Sequence, residues 1–149
     1  MTPRAPILRA LFVLVLVLTS APAARATNEI QDLVDRINHH RAALGRPVLK
    51  WDQHLAAVAR RHSTDMARRE FFDHVNPDGD DPFDRMRHAG IHFTSAGENL
   101  AWGQATGAQV FEGWMNSRGH RHNLESRDYT RIGIGLYQRR WTCLMSRPR

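Results

Sequence analysis

Three side chains in this sequence could share one piece of chemistry: His74, Glu98 and His120. Two imidazoles and a carboxylate can hold a divalent cation, with water completing its shell. The same trio can pass protons, because imidazole titrates near neutral pH. It can also form a hydrogen-bonded structural knot. The three residues are far apart in sequence and make no local ligand motif, so all three readings stand at this level. Each is expected in an irregular segment beside a regular element, where sites concentrate. His74 follows the second helix, Glu98 lies in a Gly-rich stretch, and His120 sits in a Gly-containing loop after the fourth helix.

Other chemistries have weaker support. Ser63, Ser95, Ser117 and Ser126 lack the Gly-x-Ser-x-Gly setting of a nucleophile elbow. There is no HExxH, no CxxC pair and no phosphate loop. Cys143, the only cysteine, alternates with Trp141 and Met145 and reads as a buried strand position. His62 lies on an apolar helical stripe and reads as a hydrogen-bonded core histidine. His39 and His40 are adjacent, so a helix points them about 100° apart; they read as surface residues. His122 is an additional histidine without an assigned role.

The elements that must position the trio follow from periodicity. Ile30, Leu33, Val34 and Ile37 mark a first helix from Asn28 to Leu44, with Asn28 as cap and Gly45 as stop. Asp52 caps a second helix through about Glu70, whose inner stripe is Leu55, Val58, Ala59, His62 and Met66. Its polar face carries Arg60, Arg61, Arg68 and Arg69. Asp81-Pro82 opens a short third helix ended by Gly90. Ile91 to Gly103 is expected to be extended or irregular. Thr106 and Gln109 form a capping box for the fourth helix, with Val110, Phe111, Trp114 and Met115 on its buried face. Ile132-Gly133-Ile134-Gly135-Leu136 and Trp141–Met145 form a hairpin, in which Gly133 and Gly135 leave room for a close neighbour.

Outside this pattern, Arg4 and Arg9 flank an apolar run, Ala10 to Leu18, and Ala24-Arg25-Ala26 has the small-x-small form of a cleavage site. Residues 1–26 therefore read as a signal peptide and 27–149 as a single domain, secreted or periplasmic. The run is about half the roughly 20 apolar residues a membrane-spanning helix needs, and no other stretch comes closer. The 149-residue chain has 21 Lys+Arg against 15 Asp+Glu. Without the leader it has 18 against 15, a net charge of +3. The arginines are scattered among Asp, Glu and His with no stripe of one sign, so no nucleic-acid partner is expected. With a single Cys, an exported domain has no internal disulfide and depends on packing.

Several stretches together resemble a known family. Ala59-Arg60-Arg61-His62-Ser63-Thr64-Asp65-Met66-Ala67, followed by Phe72-Asp73-His74, is similar to the first motif of the CAP superfamily, the cysteine-rich secretory, antigen 5 and pathogenesis-related group with its SCP domain. Gly97-Glu98-Asn99-Leu100 is similar to the second. Trp114-Met115-Asn116-Ser117, Gly119-His120-Arg121 and Asn123-Leu124 resemble the third in its short bacterial form, and Ile132-Gly133-Ile134-Gly135 resembles the strand that follows. The resemblance implies an α+β fold: a three-layer α-β-α sandwich with a small antiparallel sheet and about four helices.

It also implies a cleft built from His74, Glu98, Asn99, Ser117, His120 and Asn123. His74 and His120 would be the ligands of a divalent ion such as zinc. Many members of the group carry a second Glu three positions after the helix-four Trp. Here that position is Ser117, and Arg118 replaces the Pro usual in bacterial members. Members are linked to sterol or lipid binding, defence and occasionally proteolysis. The expectation is a secreted, monomeric binding module for a small apolar, sterol-like or cell-envelope ligand. The alternative is a metal-assisted hydrolase acting on peptide or cell-envelope material, with Glu98 as its catalytic residue.

Overall fold

The computed structural model describes residues 22–149. The apolar run 10–18, and with it nearly all of the expected leader, lies outside the described residues. Helix α1 spans Pro22–Ala43, so it begins upstream of the Asn28 cap expected from sequence. Ala23, Ala24 and Ala26 are strong helix formers, and Thr27 Oγ1 donates to Ala23 O at 3.0 Å as helical side chains do. Among the described residues, every buried apolar residue lies at or beyond Leu33, so a chain beginning at Thr27 retains that core.

The remaining elements are β1 Lys50–Trp51, α2 Gln53–Arg68, α3 Pro82–His88, β2 Phe93–Trp102, α4 Gly107–Asn116, α5 Arg118–Glu125, β3 Arg131–Tyr137 and β4 Arg140–Pro148. The sheet order is β1-β3-β4-β2. β4 pairs antiparallel with both β2 and β3, and the two-residue β1 adds a parallel edge to β3. One face carries α1, α4 and α5 over Ile132, Ile134, Trp141, Cys143 and Met145. The other packs Leu55, Val58 and Ala59 of α2 and Met86 of α3 against Leu144. This is the expected α-β-α sandwich.

Local signals set most boundaries. Asp52 accepts from the amides of His54 and Leu55 to start α2. Asp81 and Asp84 form a reciprocal capping box at α3, with Pro82 in its first turn. The stretch around Glu98 is fully extended, as the ten-residue β2.

The expected loop around His120 is instead helix α5, the fifth helix. Gly119 in a helix costs about 1 kcal/mol against Ala, but tertiary contacts outweigh it. Leu124 is buried in the core, and Arg41, itself fully buried, donates from one guanidinium nitrogen to Leu124 O at 2.7 Å and Ser126 O at 2.8 Å. A cation on the last carbonyls of a helix also opposes its dipole. Arg118 occupies the first helical position of α5, where Pro is equally at home.

Gly133 and Gly135 face α2. A Cβ on Gly133 would collide with the Leu55–Ala56 backbone, and one on Gly135 with the Ala59–Arg60 backbone. Helix α2 therefore lies directly on the sheet, and Ser63 Oγ, between them, donates to Gly135 O at 3.1 Å and pairs with Thr142 Oγ1 at 2.9 Å. Gly135→Ala is expected to push the helix away at a cost of at least 1–3 kcal/mol, read as a lower urea midpoint. An unchanged midpoint would mean that α2 is free to shift.

Candidate functional site

Glu98 and its neighbour Asn99 on β2 are the hub of the hydrogen bonds among the expected cleft residues. The Glu98 side chain is 1% exposed, and each carboxylate oxygen accepts one bond. His74 Nδ1–H donates to Oε1 at 2.8 Å. Arg85, on α3, donates to Oε2 at 2.7 Å. The other terminal nitrogen of Arg85 donates to His74 O at 2.7 Å and Asp80 O at 3.0 Å. Arg85 therefore fixes both the carboxylate and the backbone of the segment that bears His74. His62, buried on α2, pairs through Nε2 with Asp73 O at 2.9 Å and holds the same segment from beneath.

Asn99 ties the opposite wall. Its Nδ2 donates to His120 O at 3.0 Å, and its Oδ1 accepts from Asn123 at 2.9 Å. Asn123 also reaches Glu98 O at 3.3 Å. The His120 ring lies 6.4 Å from that of Trp114, and Trp114 Nε1–H donates to Leu100 O at 2.9 Å. Ser117 stands at the N-cap position of α5, and its side chain makes no capping bond. His122 is exposed on α5 beside Arg118, Arg121 and Glu125. His40 is half-buried and meets Glu125 at 2.9 Å, a second tie between α1 and α5 beside Arg41.

Electrostatics divide the two histidines. The hydrogen bond to Glu98 raises the pKa of His74, against partial burial. Burial lowers that of His120, and the nearby His74 lowers it further. His62 is pushed down chiefly by burial. Cys143 is fully buried, and its thiol is pushed far above the ordinary range.

Among the described residues, no group of three or more His, Cys, Asp or Glu side chains is arranged to hold a metal ion. The donor chemistry agrees. Both Glu98 oxygens are taken, one by a cation, so Glu98 is not a free ligand. With Nδ1–H held by a carboxylate, neutral His74 presents the Nε2 lone pair, the arrangement typical of ligating histidines. An ion held there would have His74 and His120 as its protein ligands, with solvent in its remaining positions.

Sequence reading groups His74, Glu98, Asn99, Ser117, His120 and Asn123; hydrogen bonds link His74, Glu98, Asn99, Asn123 and the His120 carbonyl, while the Ser117 side chain makes no capping bond. That reading overlooked Arg85, one of 21 Lys+Arg residues. The only available signal was indirect: a buried carboxylate needs a cationic partner. It also placed all three central residues in irregular segments, whereas Glu98 is on a strand and His120 on a helix.

Comparison with known proteins gives a consistent picture. The model of the cysteine-rich secretory protein family (CAP) matches residues 34–145. A Bacillus subtilis protein named uncharacterized protein YkwD is 41% identical over 120 residues, covering 80% of this chain and 46% of that protein. Another from the same organism, named uncharacterized membrane protein YlbC, is 37% identical over 116 residues, covering 78% of this chain and 34% of its own length. The chain thus spans less than half of either relative. A solved extracellular protein containing an SCP domain, from Bacillus anthracis, superposes with a TM-score of 0.81 at 33% identity, over 87% of this chain and 44% of that one.

Proposed function

Because the chain belongs to the cysteine-rich secretory protein (CAP) family, we propose that it is an exported binding module. Its His74–Glu98–His120 cleft would receive a small apolar, sterol-like or cell-envelope ligand, with a divalent ion such as zinc as an accessory. The apolar N-terminal run and the small-x-small site before Thr27 support export, as does the likeness to a protein described as extracellular.

The observation that carries the binding reading is the state of Glu98. A general base must be able to take a proton from the reacting group. Both Glu98 oxygens are instead committed, to His74 and to Arg85. The carboxylate orients a histidine in a rigid frame, which suits a preformed receptor better than a hydrolase. His74 and His120 would hold the ion. When bound, it would supply a positive contact for the polar head of a ligand.

Native mass spectrometry of the purified protein tests this reading directly. A co-purified metal or lipid is the expected result, and peptide or cell-envelope hydrolysis that disappears in Glu98→Gln while the variant is still folded by circular dichroism would replace the reading with the enzymatic one. Zinc titration gives a sharper check. The ligand form is neutral imidazole, so affinity falls as pH drops through the raised pKa of His74, above the ordinary value of about 6.5. His120, shifted downward, stays neutral longer and does not set this limit. Calorimetry at about pH 8 and about pH 5.5 should show binding only at the higher value. Chelation should leave the fold intact, because the core contains no metal ligand. Equal affinity in wild type and in the double variant His74→Ala/His120→Ala would place the metal elsewhere.

A further inference from the structure

The arginines that are scattered in sequence converge in the fold. Arg60 and Arg61 are exposed on the outer face of α2. Arg60 lies over the Tyr137 ring at 5.6 Å, and Arg60, Tyr137 and Arg139 line one pocket. Arg140 pairs across the hairpin with Tyr137 and across the sheet with Trp102, and its guanidinium sits 4.8 Å from the Trp102 ring centre. Trp102 is 56% exposed and meets Phe72, 43% exposed, at 5.8 Å. These contacts trace one continuous strip, from α2 across the β3–β4 turn to the segment that bears His74. Among the described residues, none of its four arginines has an acidic partner within ion-pair distance.

We propose that this strip seats the domain on an anionic lipid surface, with Phe72 and Trp102 entering the interfacial layer and Arg60, Arg61, Arg139 and Arg140 meeting the headgroups. Exposed aromatic rings in line with arginines that lack acidic partners suit such a boundary, where rings sit at headgroup depth and each arginine gains from the negative surface potential. A sugar or a nucleobase would need a free aromatic face to stack on. Arg140 already lies over the Trp102 ring and Phe72 meets it at a tilt of 40°. The turn adds an independent observation. Gln138 and Arg139 both have positive φ, 45° and 58°, in a two-residue hairpin that favours Asn-Gly. The fold thus keeps a cation at the tip of the strip where glycine would relieve backbone strain.

This strip ends at Phe72, two residues before His74, but its residues are not those of the cleft and its test does not depend on any cleft ligand. The chain from Thr27 to Arg149, which keeps the core, is sedimented with vesicles of phosphatidylglycerol and phosphatidylcholine, and of phosphatidylcholine alone. Binding is expected only to the anionic vesicles at about 0.1 M salt, and to vanish at about 0.5 M, where screening shortens the reach of surface charge. Arg139→Gly should raise the melting temperature by relieving the turn, yet weaken binding about five-fold. Phe72→Ser with Trp102→Ser, both exposed, should weaken it at least ten-fold with the fold intact by circular dichroism. No binding of the parent to anionic vesicles would overturn the proposal, as would unchanged binding in either variant. Aromatic-dependent capture of a single-stranded oligonucleotide in place of vesicles would reassign the strip to nucleic acid.

Discussion

Glu98→Gln is expected to cost about 3–5 kcal/mol, the range seen when one partner of a buried ion pair is removed. The side chain keeps its volume, so the loss has an electrostatic origin. A carboxylate offers an acceptor to each of two donors, His74 Nδ1 and an Arg85 terminal nitrogen. Gln offers one oxygen and one NH2; with the oxygen on Arg85, the NH2 faces Nδ1, which can accept only in the neutral Nε2–H tautomer, so the imidazolium form loses its partner. Arg85, with its side chain only 10% exposed, then keeps its charge without a counter-ion. The loss should be read by urea denaturation of parent and variant. It should also be larger at about pH 5.5 than at about pH 8.5. Glu98 raises the pKa of His74, so the imidazolium–carboxylate contribution is complete below the unfolded value and is lost as pH rises through the raised one. Adding Arg85→Met should recover part of the stability by removing the stranded cation. A single-variant loss below about 1 kcal/mol would mean that water reaches the pair.

Trp114→Ala should cost a similar 3–5 kcal/mol, the usual price of truncating a buried aromatic. Trp114 is 2% exposed within the cluster that joins α1, α4, α5 and the sheet. Truncation also leaves the Leu100 carbonyl without its indole donor. The same change should reach the cleft. Burial is the main cause of the lowered His120 pKa, and the Trp114 ring is beside that imidazole. A cavity there admits water, so His120 should titrate closer to its ordinary value, as NMR of the ring protons would show. An unchanged melting curve would mean that α4 does not bury this face; a drop in stability without a shift at His120 would confine the ring's role to packing.

What could be read from the sequence was local or periodic. Asp52 and Asp81-Pro82 announce helix starts through their own cap chemistry. Alternation on β3 identified Gly133 and Gly135 as the side on which another element comes close. The apolar spacing of Val110 and Trp114 gave the buried face of α4. What could not be read depends on partners distant in sequence. Helix α5 has poor local credentials, with Gly119 near its start, and is held by Arg41 and Leu124. The two residues of β1 are too few to carry a pattern, so their parallel pairing with β3 is visible only in three dimensions. In the cleft, the family motifs singled out His74, Glu98 and His120, but Arg85 lacks any periodic or motif signature. The basic strip stayed hidden because its residues come from α2 and the β3–β4 turn.

The fully buried Cys143 lies at the middle of β4, an interior strand of the sheet with β3 and β2 on either side. Its thiol is shielded from solvent and held in the unreactive protonated form. The same position makes it a built-in clock. A thiol-selective reagent can modify the folded protein only after the layer of α1, α4 and α5 lifts from the sheet, so the labelling rate in excess reagent counts openings of that layer one molecule at a time. Fraying of the exposed first turn of α1 would leave that count untouched, because it does not uncover the sulfur.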